Sequence, residues 1–305
     1  MIARLTKTQP QLIAMLFALL AYTLLSTSDA MIKLAADEKT STPEIMLFCG
    51  LFCVLILLLK ALKQKHLPAL IPISKRLVLL RTILGVATNF FFFTAYSHLP
   101  LANVYVIKFI SPLIIATGAA VFLSEQLSAK KFLIVLFGFT GTYIAINPAS
   151  LLSGSELSIG YLSATCGMLC FSTSQLLLRK LSQYEKPEAI LFIGSSGYVV
   201  FGLAASLSSF QLPTPAALGF IFLSSAIGLS GWFLILSAFK RAPAAVISSI
   251  HYIQLIIGAA LGYLIWHTIP EWNMFAGGAI IIASGLAMAH HTHKNATIPT
   301  LLESK

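Results

Sequence analysis

The sequence predicts an all-α integral membrane protein, with ten transmembrane helices arranged as two inverted five-helix repeats. Three observations carry that expectation. Charged residues make up only 10% of the 305 positions, ten apolar stretches separate cleanly and most reach membrane-crossing length, and features of the first half recur in the second, displaced by 143 to 146 positions.

A soluble surface is kept in solution by roughly 25% charged residues. With 57% hydrophobic residues and a mean hydropathy of +0.88, this chain is suited to lipid. The formal charge of +10 could suggest nucleic acid, but the basic residues fall in short groups between apolar runs and form no stripe, so no nucleic-acid partner is expected. The cysteines come as Cys49 with Cys53 and Cys166 with Cys170, each pair one turn apart in an apolar segment. Zinc would need hairpin spacing and polar neighbours, so they are read as small packing residues, and neither metal nor cofactor is expected.

The apolar stretches cover residues 11–36, 44–61, 77–97, 101–123, 131–147, 158–178, 188–209, 216–239, 244–266 and 272–290. About 20 residues cross roughly 30 Å of hydrocarbon. The first, behind Arg4 and Lys7, could pass for a signal peptide with small residues from Ser28 to Ala30. Its apolar character continues to Ala36 and the repeat requires it, so it is read as helix 1. The second opens at Pro43-Glu44 and closes on Lys60 and Lys63. The third follows Lys75 and Arg76 and ends at His98, and Pro100 starts the fourth. Lys130-Lys131 leads into the fifth, which stops at Asn147-Pro148, and Arg179-Lys180 closes the sixth. Pro187-Glu188 opens the seventh, Lys240-Arg241 closes the eighth, Pro243 precedes the ninth, and Trp266 and Trp272 suit the interface between ninth and tenth. Seventeen basic residues, Arg81 among them, fall on one side by alternate loops, against Lys33 and Lys39 on the other, with Lys108 set apart inside helix 4. The positive-inside rule then gives a multi-pass protein of the bacterial inner membrane with both termini cytoplasmic and lipid as its surroundings.

The repeats are expected at residues 1–148 and 149–305, the second ending in a short cytoplasmic tail that carries His290, His291 and His293. Ser26-Thr27-Ser28-Asp29 recurs as Ser172-Thr173-Ser174-Gln175, each followed by a basic residue (Lys33, Arg179) and then Pro-Glu. Ala95 to Ala102 aligns with Ala238 to Ala245. An odd number of helices per repeat turns the second copy upside down, and the charges agree: Ser97-His98 in one turn corresponds to Lys240-Arg241 in its mate. Inverted repeats characterise secondary transporters, in which exchanging the conformations of the halves exposes one central site to either side.

Leu99-Pro100-Leu101-Ala102, Ser111-Pro112-Leu113, Leu123-Ser124-Glu125, Gly138, Gly141 and Asn147-Pro148 resemble the half-repeat of EamA-like members of the drug/metabolite transporter superfamily. Tyr252, Gly258, Gly262, Trp266, Pro270, Gly278 and Gly285 resemble the same pattern in the second half. The resemblance implies ten helices, a central cavity built from helices 1, 3, 4, 6, 8 and 9, and cargo such as nucleotide-like metabolites, amino acids or drugs. The chain departs from the pattern at Leu255, where helix 4 has Pro112, and at Thr268, where the first half has Glu125.

Lys108 lies about eight positions into helix 4, roughly 10 Å from its end. A lysine at membrane depth costs about 2.5–3.5 kcal/mol on insertion scales, so it should face a cavity or a partner. Pro112 removes the hydrogen bond that would satisfy the Lys108 carbonyl, and is read as a kink or gate. Tyr105, Lys108 and Ser111 share a helical face, assigned to binding an anionic group, the alternatives being a salt bridge to Asp29 or snorkelling. His251 is the repeat mate of Lys108 and could bind solute, carry a proton, or be satisfied by a helix carbonyl, with Tyr252 and Gln254 beside it. Asp29 is a candidate for proton coupling, although pairing with Lys33 four residues on explains it more simply. Asn89 and Trp232, another related pair, could hydrogen-bond and stack on solute or serve helix packing. The run Phe90 to Phe93 is read as lipid-facing and packing surface, and Gly258-x-x-x-Gly262 as a close helix approach consistent with a monomer or a homodimer.

Together these features predict a secondary transporter that moves a small organic metabolite by alternating access. The cargo is expected to be anionic or zwitterionic, such as an amino acid or a nucleotide-like compound. Export of cationic or neutral drugs is the alternative, the resemblance also permits import of S-adenosylmethionine or riboflavin, and a passive channel is the rival of a different class. No nucleophile with a base, acid pair or ATP-binding loop stands out, so no enzyme is expected.

Overall fold

Lipid offers a backbone no hydrogen-bonding partner, so a chain this apolar must satisfy its peptide groups within helices or a closed barrel. A computed structural model describes residues 10–111, 114–115, 118, 129–146, 156–242, 247, 250–251, 253–269 and 272–296, and among these it contains helices and no strand. The first half comprises α1 (Pro10–Asp37), α2 (Thr42–Lys63), α3 (Lys75–His98), α4 (Leu101–Lys108) and α5 (Ala129–Ile146). The second comprises α6 (Glu156–Leu181), α7 (Pro187–Ser206), α8 (Pro215–Phe239), α9 (Ile253–Trp266) and α10 (Trp272–Ala296). Among the described residues five spans are long and apolar enough to cross a membrane, at Ile13–Asp37, Thr42–Lys63, Lys75–His98, Pro187–Ser206 and Pro215–Phe239. His290, His291 and His293 belong to α10, which runs further than the sequence suggests.

Helix starts follow local chemistry. Pro43, Pro187 and Pro215 occupy first-turn positions, where a missing N–H costs nothing. Glu44 accepts from the Ser41 N–H at 3.1 Å, and the Thr214 hydroxyl accepts from the Ala217 N–H at 3.1 Å. Outward faces are apolar: Leu51, Leu55, Leu59 and Leu62 form an exposed stripe along α2. In water such a stripe would be an aggregation hazard, and in a bilayer it is the lipid-facing surface.

The halves interlock. The most extensive contacts all cross between them: α1 with α8, α3 with α6, α5 with α10 and α2 with α7. Under the repeat relation the first two pairs are mates, and each of the others maps onto itself. At the α2–α7 crossing the backbones almost touch, since a methyl on Gly202 would lie 2.6 Å from the Leu47 nitrogen and the Pro43 carbonyl oxygen. Any larger residue there would force the two backbones apart.

Two further devices repeat. Glu44 at the start of α2 accepts from the Gln211 N–H in the α7–α8 loop, while Glu185 just before α7 accepts from the Ile73 and Ser74 N–H groups in the α2–α3 loop. Lys33 on α1 donates to the carbonyls of Tyr96 at 2.8 Å and Leu99 at 3.3 Å, at the end of α3. Arg179 on α6 donates to the carbonyls of Phe239 and, at 2.7 Å, Ala242, at the end of α8. A basic group at a helix C-terminus meets unsatisfied carbonyls and the negative end of the dipole. Lys33 is therefore engaged with α3, and the expected pairing with Asp29 along α1 is not formed.

Candidate functional site

Between the halves lies a cavity of about 990 Å³, solvent-facing space included. Its wall draws on α1, α2, α3, α6, α7 and α8, on Lys108 of α4, on His251 just before α9 and on Gln254 in its first turn. The long helices supply mostly apolar and small residues, so the charged groups on the wall stand out.

At one pole, Lys108 Nζ lies 3.7 Å from Asp29 Oδ2, and the Tyr105 hydroxyl donates to that oxygen at 3.0 Å. The ammonium also lies over the rings of Phe92, Tyr105 and Phe171 at 5.2–5.5 Å, a cation–π enclosure. Separation of 3.7 Å exceeds direct hydrogen-bond distance, so this is a loose ion pair. Phe92 and Phe93 reach the cavity wall and are buried, so of the lipid-facing and packing roles expected of this run these two take the packing one. The Lys108 carbonyl accepts from the Ser111 hydroxyl at 2.5 Å, so it is not the free acceptor the sequence suggests. Ser111 is buried behind the wall, as is Tyr105, whose ring occupies the place where a side chain at Gly258 would be. Gly258 thus accepts a ring from α4, while Gly262 faces Thr268.

His251 stacks on Tyr22 with ring centroids 4.7 Å apart and shares the Phe171 ring with Lys108, at 5.5 Å. Among the described residues its Nε2 makes no hydrogen bond of good geometry although the residue is 1% exposed, and Gln254 Oε1, close enough to the ring to interact with it, is likewise buried without one. A buried polar atom of this kind is uncommon, since such atoms are nearly always hydrogen-bonded. The chain turns at residues 109–110 beyond α4 and at His251 before α9, with short-range bonds from the Ile110 N–H to the Ile107 carbonyl and from the Gln254 N–H to the His251 carbonyl. Both turns lie near the related positions of Lys108 and His251. Pro112 and Tyr252 lie outside the described residues.

At the other pole is Arg81, counted by sequence with the cytoplasmic basic residues. It begins about 9 Å inside α3, is 7% exposed and reaches the wall. Its guanidinium lies 5.8 Å from the Trp232 ring. Asn89 lies beyond it on the same wall, donating to the Gly85 carbonyl at 2.9 Å and to the Tyr198 hydroxyl. The structure thus places Asp29, Asn89, Lys108, Trp232, His251 and Gln254 around one cavity. Sequence reasoning missed Arg81, Tyr22 and Tyr198. Arg81's six-residue distance from Lys75, inside an apolar run, was the available signal.

The sequence profile of the EamA-like transporter family matches residues 12–147 and 158–289. The chain is 24% identical over 281 residues to the pseudopaline exporter CntI of Pseudomonas aeruginosa, covering 90% of this chain and 95% of that protein. It is 25% identical over 195 residues to an S-adenosylmethionine uptake transporter of Rickettsia bellii, covering 64% and 66% of the two chains. A riboflavin transporter of Rhizobium johnstonii is 27% identical over 177 residues, covering 58% and 57%. A solved crystal structure superposes with a TM-score of 0.66 at 18% identity over 92% of this chain and 97% of the other, a likeness of fold.

Proposed function

The chain belongs to the EamA-like transporter family, and on that premise we propose that it is a secondary carrier that moves a small anionic or zwitterionic metabolite by alternating access between its two halves. The repeats are residues 1–148 and 149–305, in the bacterial inner membrane with both termini cytoplasmic, as the charge pattern supports. One observation carries the reading: a cavity between inverted halves holds buried polar atoms, His251 Nε2 and Gln254 Oε1, that make no hydrogen bond of good geometry among the described residues. Such atoms cost about 1–3 kcal/mol each unless a solute or water meets them.

The loose Asp29–Lys108 pair suits a zwitterion, whose carboxylate would meet the ammonium while its own ammonium meets Asp29. His251, Gln254, Asn89 and Trp232 complete the wall the solute would touch. Interrupted helices at mid-membrane, as at residues 109–110 and His251, are where carriers expose backbone groups to cargo. The named relatives differ in cargo and direction, so amino acids and nucleotide-like compounds are the classes to test first.

A thermal-shift screen of the purified chain against metabolites identifies a ligand through the stabilisation it confers. Proteoliposomes preloaded with that ligand should then transiently accumulate the labelled form by counterflow. Simple equilibration without overshoot would mean a pore, and unchanged affinity and transport in folded Lys108→Ala would remove Lys108 from the site.

A further inference from the structure

We propose that Arg81 anchors an oxyanion of the transported solute, a carboxylate or a phosphate, at a subsite separate from the Asp29–Lys108 pair. This rests on the reading of the central cavity as the solute site, and adds a residue and a ligand chemistry to it.

Charge balance gives the first argument. The wall carries two basic side chains, Lys108 and Arg81, and one carboxylate, Asp29. Asp29 is committed to Lys108 and Tyr105. Among the described residues no carboxylate pairs with Arg81, and its Nε is buried with no hydrogen-bond partner. Arginine cannot shed its proton to escape burial. A guanidinium 7% exposed at this depth needs a counter-charge that the described residues do not supply, and a solute oxyanion would supply it.

Shape gives the second. Gly194 on α7 leaves room for the guanidinium, since a methyl there would lie 2.9 Å from Arg81 Nη1. Trp232 on α8 lies near the guanidinium on the cavity wall. A planar fork of donors set against an aromatic surface matches the two coplanar oxygens of a carboxylate, or two oxygens of a phosphate. Phe92, the ring beneath Lys108, lies eleven positions beyond Arg81 along α3. That is about 16 Å along the helix axis, so the two poles are distinct subsites.

The test uses the full chain in detergent, titrated at constant ionic strength with acetate, L-glutamate, succinate, inorganic phosphate and AMP, with choline and mannitol as controls. At least one anion should raise the thermal midpoint and change the fluorescence of Trp232, the latter signal vanishing in Trp232→Phe. Arg81→Met should weaken that anion's apparent Kd at least tenfold, and Arg81→Lys should retain part of the affinity. The organic acids and the phosphates form separate arms, and the arm that responds names the headgroup. If no anion outperforms the controls, or if folded Arg81→Met and Arg81→Lys both bind as the parent does, the proposal fails. Counterflow of the screened ligand judges the carrier reading separately: a carrier with anion-indifferent binding overturns only the role of Arg81, and a pore overturns the carrier reading whatever Arg81 binds.

Discussion

The two basic clasps at the helix ends make opposite predictions from equivalent mutations. Lys33 holds the Tyr96 and Leu99 carbonyls, and Arg179 holds those of Phe239 and Ala242. A hydrogen bond to a charged group contributes about 1.5–3 kcal/mol. With one of the Lys33 bonds at 3.3 Å and the site part-buried, about 2 kcal/mol is a fair figure for that clasp, and similarly for its mate. If each clasp exists only while its own end is closed, Lys33→Met shifts the equilibrium about 30-fold toward opening at the Lys33 end, because 1.4 kcal/mol is tenfold. Arg179→Met shifts it about as far toward opening at the other end, and the double variant returns near the parent. Spin labels at Lys39 with Ser97, and at Tyr184 with Lys240, in a background without the four native cysteines, would report each end as a distance distribution. Single variants that move the same way, or a double variant that fails to restore balance, would refute the reasoning.

Gly202→Ala forces a methyl to within 2.6 Å of backbone atoms on α2, and overpacking of this kind costs about 1–3 kcal/mol. Its thermal midpoint should fall, whereas Gly219→Ala, with nothing within 4 Å of the added carbon, should leave the midpoint unchanged or raise it. Glu185→Gln weakens the acceptor shared by the Ile73 and Ser74 N–H groups. A loss of about 1–2 kcal/mol is expected there, visible as faster hydrogen exchange at those two amides, with exchange in the α2–α7 seam unaffected.

Membrane segments were legible because lipid imposes one rule on every residue of a span, so a run of apolar side chains is itself the signal. The repeat was legible for a related reason: the 143-residue displacement relates Lys108 to His251 and Asn89 to Trp232, and all four reach one cavity. Choice of partner was not. Asp29 has Lys33 four residues away in sequence, yet its charge meets Lys108 from another helix, because Lys33 finds unsatisfied carbonyls at the end of α3. Arg81 was hidden by Lys75 and Arg76, which made it look like one more loop cation. What directs it inward is the space left by Gly194 on α7, more than a hundred residues away.

The interlocked pairing of the halves also bears on how the chain is made. Because α1 packs chiefly on α8, and α3 on α6, the first five helices enter the bilayer before their main partners exist. Lys108 and Arg81 are then in the membrane before α6, α7 and α8 complete the cavity around them. Biogenesis therefore has a vulnerable interval between synthesis of residue 148 and insertion of α8. Slow translation across that interval, or a truncation within it, leaves a fragment whose best available partners are other proteins, and quality-control proteases should recognise it.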